Sequence, residues 1–204
     1  MASPIANAKD VCEWLGVDFS EHAFNFHPSV RAACPSIGPL QMNIVAFDHN
    51  NRAHRLLQMG KPVYNLLRRN LPQGSDSKAL VFVPDRKQAR HTALDLVNYC
   101  GSDDQPEVFL GARSDEQTDR FAKDIESVLG SGDQALARVL GFGVAFLHSG
   151  LTAAETAFIK TMFSRGLVRV LVATNDLSWA LSDVSADLVV IQDPEKYNGL
   201  EKRY

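Results

Sequence analysis

Residues 143–173 read GVAFLHSGLTAAETAFIKTMFSRGLVRVLVA. Gly143 to Leu147 is a short apolar run of the kind that a parallel sheet buries on both faces. Thr152 and Glu155 form a T-x-x-E capping box, with each side chain placed to satisfy the other's free backbone amide at a helix start. Behind it, Phe158, Ile159, Met162 and Phe163 recur at helical spacing, and Gly166 supplies the stop. Val168 to Ala173 is a second apolar run. The stretch therefore predicts strand, helix, strand.

The same alternation extends in both directions. Ala79 to Val83 predicts a buried strand, followed at once by a helix with Ala89, Ala93, Val97 and Cys100 on one face. Beyond a polar loop, Gly101 to Glu107, the spacing of Phe121, Ile125, Val128 and Leu129 predicts a helix, and Gln134 to Leu140 another. Downstream, Asp176 to Leu181 reads as a short helix and Leu188 to Ile191 as a strand. Upstream, Leu56, Leu57, Met59, Val63, Leu66 and Leu67 predict a helix that kinks or restarts near Gly60, because Pro62 has no amide hydrogen to donate. Leu40 to Phe47 alternates as an edge or joining strand would, the text from Phe24 to Pro39 is irregular, and Asn7 caps a short helix that Gly16 ends. Strands alternating with helices imply an α/β fold, a parallel sheet with helices on both faces that binds ligands at the carboxyl ends of its strands. The loops after Val83, Leu147, Ala173 and Ile191 are the places to look.

Composition sets limits on function. The 204 residues are 45% hydrophobic and 22% charged, the balance of a folded globular chain, and the formal net charge of -3 supplies no global attraction to nucleic acid. A local patch exists: Asn50 to His91 holds nine Lys or Arg (Arg52, Arg55, Lys61, Arg68, Arg69, Lys78, Arg86, Lys87, Arg90) against Asp76 and Asp85. Its simplest reading is a solvated helix face. Cys12, Cys34 and Cys100 lack the spacing of a zinc site or a disulfide framework. With no leader at Met1 to Ala8 and no long apolar run, the chain reads as soluble and intracellular, without a membrane partner.

Several chemistries find no support in the residues. No G-x-x-x-x-G-K-[ST] phosphate loop occurs. Asp115-Glu116-Gln117-Thr118 does not end an apolar strand, and Ser114 with Gln117 is the better reading, as a helix cap. Gly141-Phe142-Gly143 reads as a turn rather than a dinucleotide fingerprint. No catalytic residue and no metal ligand set is assigned.

Three strand-end loops resemble motifs of the Ski-like superfamily 2 RNA helicases of the DExH type, nearest their large two-cassette spliceosomal branch. Val81-Phe82-Val83-Pro84-Asp85-Arg86-Lys87-Gln88 resembles motif IV. His148-Ser149-Gly150-Leu151 resembles the H-x-G-L element, and Val172-Ala173-Thr174-Asn175-Asp176-Leu177-Ser178-Trp179 resembles motif V. Asn25 to Arg31 and Asp193 to Gly199 are similar to stretches of the spliceosomal branch, and the five segments stand in family order.

The resemblance implies a RecA-like, P-loop NTPase-type lobe. Residues 1–40 would be the tail of a first lobe plus a connector, and residues 41–204 a second lobe whose motif VI arginines lie beyond Tyr204. It implies sequence-independent RNA contact through Arg86, His148, Ser149, Gly150 and Thr174, weak for one lobe alone. ATP and Mg would belong to the complete cassette, with none expected on this segment. The partners implied are the first lobe and spliceosomal proteins, and the location is the nucleus. Three positions depart from the family's active members: Ala180 and Ser182 stand where motif V continues to a glycine and then an asparagine or aspartate near the nucleotide, and Asp85 replaces a serine. These departures imply a degenerate nucleotide contact, while the missing phosphate loop, acidic box and motif VI arginines imply a segment that does not hydrolyse ATP alone. The departures also imply an alternative role as a regulatory, protein-docking platform.

Overall fold

Four short apolar runs form the sheet. In the computed structural model, which describes residues 8–19, 41–111, 115–130, 133–194, 196–197 and 202–203, they are β1 (Ala79–Val83), β2 (Val144–Leu147), β3 (Val170–Thr174) and β4 (Leu188–Ile191). All pair in parallel, in the order β2-β3-β1-β4. β2 and β3 are buried throughout, as strands with helices on both faces must be, whereas β4 alternates half-buried and exposed residues at the edge. Register sets Val83 beside Thr174 and Leu147 beside Ala173, so the loops that follow open on one rim.

The crossovers assign the helices to faces. From β1 the chain moves two strands across the sheet to β2 through α3 (Arg86–Ser102), α4 (Asp115–Leu129) and α5 (Gln134–Leu140). It returns from β2 to β3 through α6 (Ala153–Ser164), then crosses β1 to reach β4 through a 3-10 helix (Asn175–Leu181). Parallel crossovers are right-handed, so opposite directions of travel place α3 on one face and α6 with the 3-10 helix on the other. Helix α2 (Arg52–Asn70) packs on α3. The polar loop expected from Gly101 begins only after α3 ends at Ser102.

Two expectations fail, for physical reasons. Helix α2 runs unbroken through Pro62 over 19 residues, with Asn51 Oδ1 accepting from the amides of Ala53 and His54. The proline forfeits one ladder bond, but Val63, Tyr64 and Leu67 immediately beyond it are buried, and their packing holds the helix together. No strand forms over 41–47, and Met42, Ile44 and Val45 are all largely exposed, so the alternation buries neither face. Near the N-terminus, α1 (Ala8–Leu15) ends at Gly16, whose φ of 67° is the left-handed stop that glycine tolerates. Its expected cap Asn7, residue 40 of the 40–47 expectation, the irregular 24–39 segment, Cys34 and the cap residue Ser114 lie outside the described residues.

The chain divides into two compact units, 1–46 and 47–204. In the second, Arg169 lies almost wholly buried just before β3 and donates to Pro72 O, Ser75 Oγ, Ser77 O and Val108 O at 3.0, 2.8, 3.0 and 3.4 Å. A cation with neutral hydrogen-bond acceptors and the Asp76 carboxylate nearby, at the amino end of the sheet, is a brace for the turn entering β1. The expected turn at Gly141-Phe142-Gly143 forms; Gly143 has φ 75°, and a Cβ there would run into the Phe109 carbonyl.

Candidate nucleic-acid interface at the strand ends

Strand β1 hands directly to α3, with Asp85 as the N-cap: its Oδ1 accepts from the Gln88 amide at 2.8 Å. The aspartate that departs from the motif IV pattern thus performs the capping that serine would. It also fixes Arg86 at the first helical position. Arg86 reaches the loop after β2, where Nε and Nη2 donate to Ser149 Oγ at 3.1 and 2.7 Å. Because that oxygen accepts twice, the Ser149 proton stays free to be donated outward.

In the same loop, His148 Nδ1 accepts from the Gly150 amide at 3.1 Å, which leaves the ring proton on Nε2. The ring stacks on Phe146 with centroids 5.7 Å apart. Partial burial, and then the neighbouring Arg86 charge, hold its pKa below the ordinary 6.5. His148 is therefore a neutral donor. A Cβ on Gly150 would lie 3.1 Å from His148 Nδ1 and 3.3 Å from Arg86 Nη1, so the missing side chain keeps the cradle open. Arg86, His148, Ser149 and Gly150 form one cluster.

Thr174 ends β3, the strand between β2 and β1, and is 1% exposed. Its Oγ1 is buried without a hydrogen-bond partner among the described residues. An orphaned buried hydroxyl costs on the order of 1–3 kcal/mol.

Ala180 and Ser182 stand apart from this cluster, both exposed on the segment after β3. Lys160 of α6 donates to the Ala180 carbonyl and pairs with Asp183 at 3.1 Å, which ties that segment to α6.

The fourth strand-end loop holds Gln192 and Asp193, the latter the first residue of the Asp193–Gly199 resemblance, with partners that the motifs did not show. Asp193, buried and with φ 56°, takes Arg52 Nε at 2.9 Å and Arg55 Nη2 at 3.3 Å. Gln192, also buried, accepts from Thr92 Oγ1 at 3.2 Å and donates to Leu56 O at 3.3 Å, while Gln88 donates to Thr92 at 3.0 Å. Two arginines three apart on one helix were the available signal.

The basic stretch is largely paired within the fold. Lys61 and Arg68 meet Asp103, Arg90 meets Asp133, and Lys78 lies over the Phe163 ring. At the rim Arg86 is held by Ser149, and Arg52 and Arg55 by Asp193. Among the described residues no cluster of three or more His, Cys, Asp or Glu converges as metal ligands, and no helix is long and apolar enough to cross a membrane.

No protein-family model matches the chain. Individual relatives do. Over all 204 residues it is 38% identical to the U5 small nuclear ribonucleoprotein 200 kDa helicase of Drosophila melanogaster, covering 9% of that protein. The chain belongs to the Ski-like superfamily 2 helicases. The human U5 small nuclear ribonucleoprotein 200 kDa helicase is 38% identical over 98% of the chain and 8% of its own length. The DExH-box ATP-dependent RNA helicase DExH14 of Arabidopsis thaliana is 33% identical over the whole chain and 9% of its own length. The chain thus spans under a tenth of these Ski-like relatives. Its parallel α/β architecture is that of a RecA-like lobe.

Proposed function

We propose that the chain is the second RecA-like lobe of an ATP-dependent RNA helicase of nuclear pre-mRNA splicing, and that its strand-end rim grips the RNA backbone. The observation that carries this reading is the cradle in which Arg86 is pinned by Ser149 next to His148 and Gly150. Arg86 supplies a charge-assisted bond to a phosphate. The Ser149 hydroxyl and the His148 Nε2–H supply short neutral donors for phosphate or ribose oxygens, and the Thr174 hydroxyl, buried at the end of β3, joins them only when the rim opens. None of these groups reads a base edge, which suits a motor that must pass any sequence. In a complete cassette the first lobe would bring ATP and Mg, and the segment around Ala180 and Ser182 would be this lobe's reduced contribution to the nucleotide cleft.

Titration of a labelled single-stranded RNA across salt concentrations tests this. Binding should be weak, indifferent to sequence and steeply salt-dependent. Arg86→Ala should weaken it several-fold and flatten the log–log salt slope by about one. An unchanged slope removes Arg86 from the interface.

A second reading, a catalytically degenerate lobe used as a docking and regulatory platform for splicing proteins, is favoured by one feature. The Ala180 carbonyl and Asp183 are already held by Lys160, on the segment where nucleotide contact is expected. ATPase measurements on the complete cassette separate the two readings, since turnover stimulated by RNA belongs only to the first.

A further inference from the structure

The face of the sheet that carries α6 is unevenly covered. Gln192 reaches Thr92 on α3, so alternation along β4 turns Val189 and Ile191 to the opposite face, the one shared by α6 and the 3-10 helix. Val189 and Ile191 are 52% and 62% exposed there, beside Leu80 and a half-buried Phe82 in register on β1. The 3-10 helix crosses the same face and presents Trp179 at 86% exposure, more than any other large apolar residue described in the 47–204 unit. A 3-10 helix has about three residues per turn, so Asp176 shares the outward stripe of Trp179, while Leu177 and Leu181 pack inward.

We infer that this face, centred on Trp179 with Val189 and Ile191, docks an arginine-bearing and otherwise apolar segment of a partner protein. Exposed tryptophan on an apolar patch is the usual anchor of protein recognition. Charge selects the occupant: residues 175–187 contain Asp176, Asp183 and Asp187 and no Lys or Arg. Lys160 offsets Asp183, and Asp187 Oδ2 accepts from the Lys78 amide, which leaves Asp176 beside the indole as the carboxylate open to an incoming cation. A guanidinium stacked on Trp179 can meet Asp176 at the same time. The same carboxylate disfavours a phosphate backbone, so a nucleobase is the poorer occupant. The inference uses no residue of the Arg86 cradle and stands or falls separately from the proposed RNA grip.

The test uses the full chain carrying Trp14→Phe, so that Trp179 is the sole tryptophan. The probe is a short peptide of alternating leucine and arginine, with a leucine–glutamate peptide and oligouridine as comparisons. The leucine–arginine peptide should shift Trp179 emission to the blue in a saturable way. Asp176→Asn should weaken its binding by about threefold and Trp179→Ala, followed by anisotropy of the labelled peptide, by about tenfold. Both positions are exposed, and unchanged melting curves verify that the variants fold. An equal response to the glutamate peptide, a response to oligouridine instead, no response, or an indole shielded from iodide before any peptide is added would each overturn the inference.

Discussion

His148 shows how one residue can tie the geometry of the rim to pH. Its Nδ1 must stay unprotonated to accept from the Gly150 amide, and burial with the nearby Arg86 holds its pKa below 6.5. As pH falls, the unfolded chain therefore takes up this proton first. The stability that His148 contributes is complete above pH 6.5 and is lost as the pH falls through 6.5 toward the lower folded value. Arg90 adds to the depression and Asp133 opposes it, and both belong to the same surroundings. We expect the melting temperature to drop further between pH 8 and pH 5 for the wild type than for His148→Gln, as followed by circular dichroism. Identical pH dependences would show that the ring does not need to stay neutral. The identity of this residue was legible in the sequence through the H-x-G-L resemblance, whereas its tautomer and partner were not, because both depend on a turn that exists only once β2 has stopped at Leu147. The pairing of Asp193 with Arg52 was less legible still, since 141 residues separate them.

Among the elements, those set by local rules matched the sequence most closely. Thr152 and Glu155 make both capping-box bonds, with Glu155 N to Thr152 Oγ1 at 3.2 Å and Thr152 N to Glu155 Oε2 at 2.7 Å. Helix α6 rests on that start and buries Ile159, Met162 and Phe163. Thr152→Ala should cost about 1 kcal/mol, a fall in melting temperature of about 3 °C for a chain of this size. Thr152→Ser should restore most of it, and a loss unaffected by serine would point to the methyl group's packing instead. Strands β1, β2 and β3 were legible because burial on both faces leaves an unbroken apolar run. Pro62 and residues 41–47 misled because each was judged by its own backbone or pattern, while the outcome was decided by what lay opposite. A core was present to hold the helix, whereas Met42, Ile44 and Val45 bury no face.

For the whole molecule, the hydrophobic core defines what can fold alone. Every residue of its buried cluster lies between Val63 and Leu181, inside the 47–204 unit. The start of α2 is equally self-contained, since the Asn51 cap, the His49 contact to the Asn51 amide and the stacked His49–His54 pair all begin after residue 47. Residues 47–204 expressed by themselves should therefore unfold cooperatively within about 3 °C of the full chain, a difference of roughly 1 kcal/mol or less. A start at Leu56 should behave differently. It removes Arg52 and Arg55 and leaves the buried Asp193 carboxylate without either ion pair. Stranding a buried charge costs on the order of 3–5 kcal/mol, comparable with the whole stability of a marginal domain. That loss should shrink when Asp193→Asn is added, because a neutral amide has less to lose than a carboxylate. Thermal melts of the two shortened chains, with and without Asp193→Asn, decide the matter. Loss of cooperative unfolding in 47–204 would show that the first unit helps to build the core, and equal stability of the two starts would show that the Arg52–Arg55–Asp193 cluster contributes nothing to the fold.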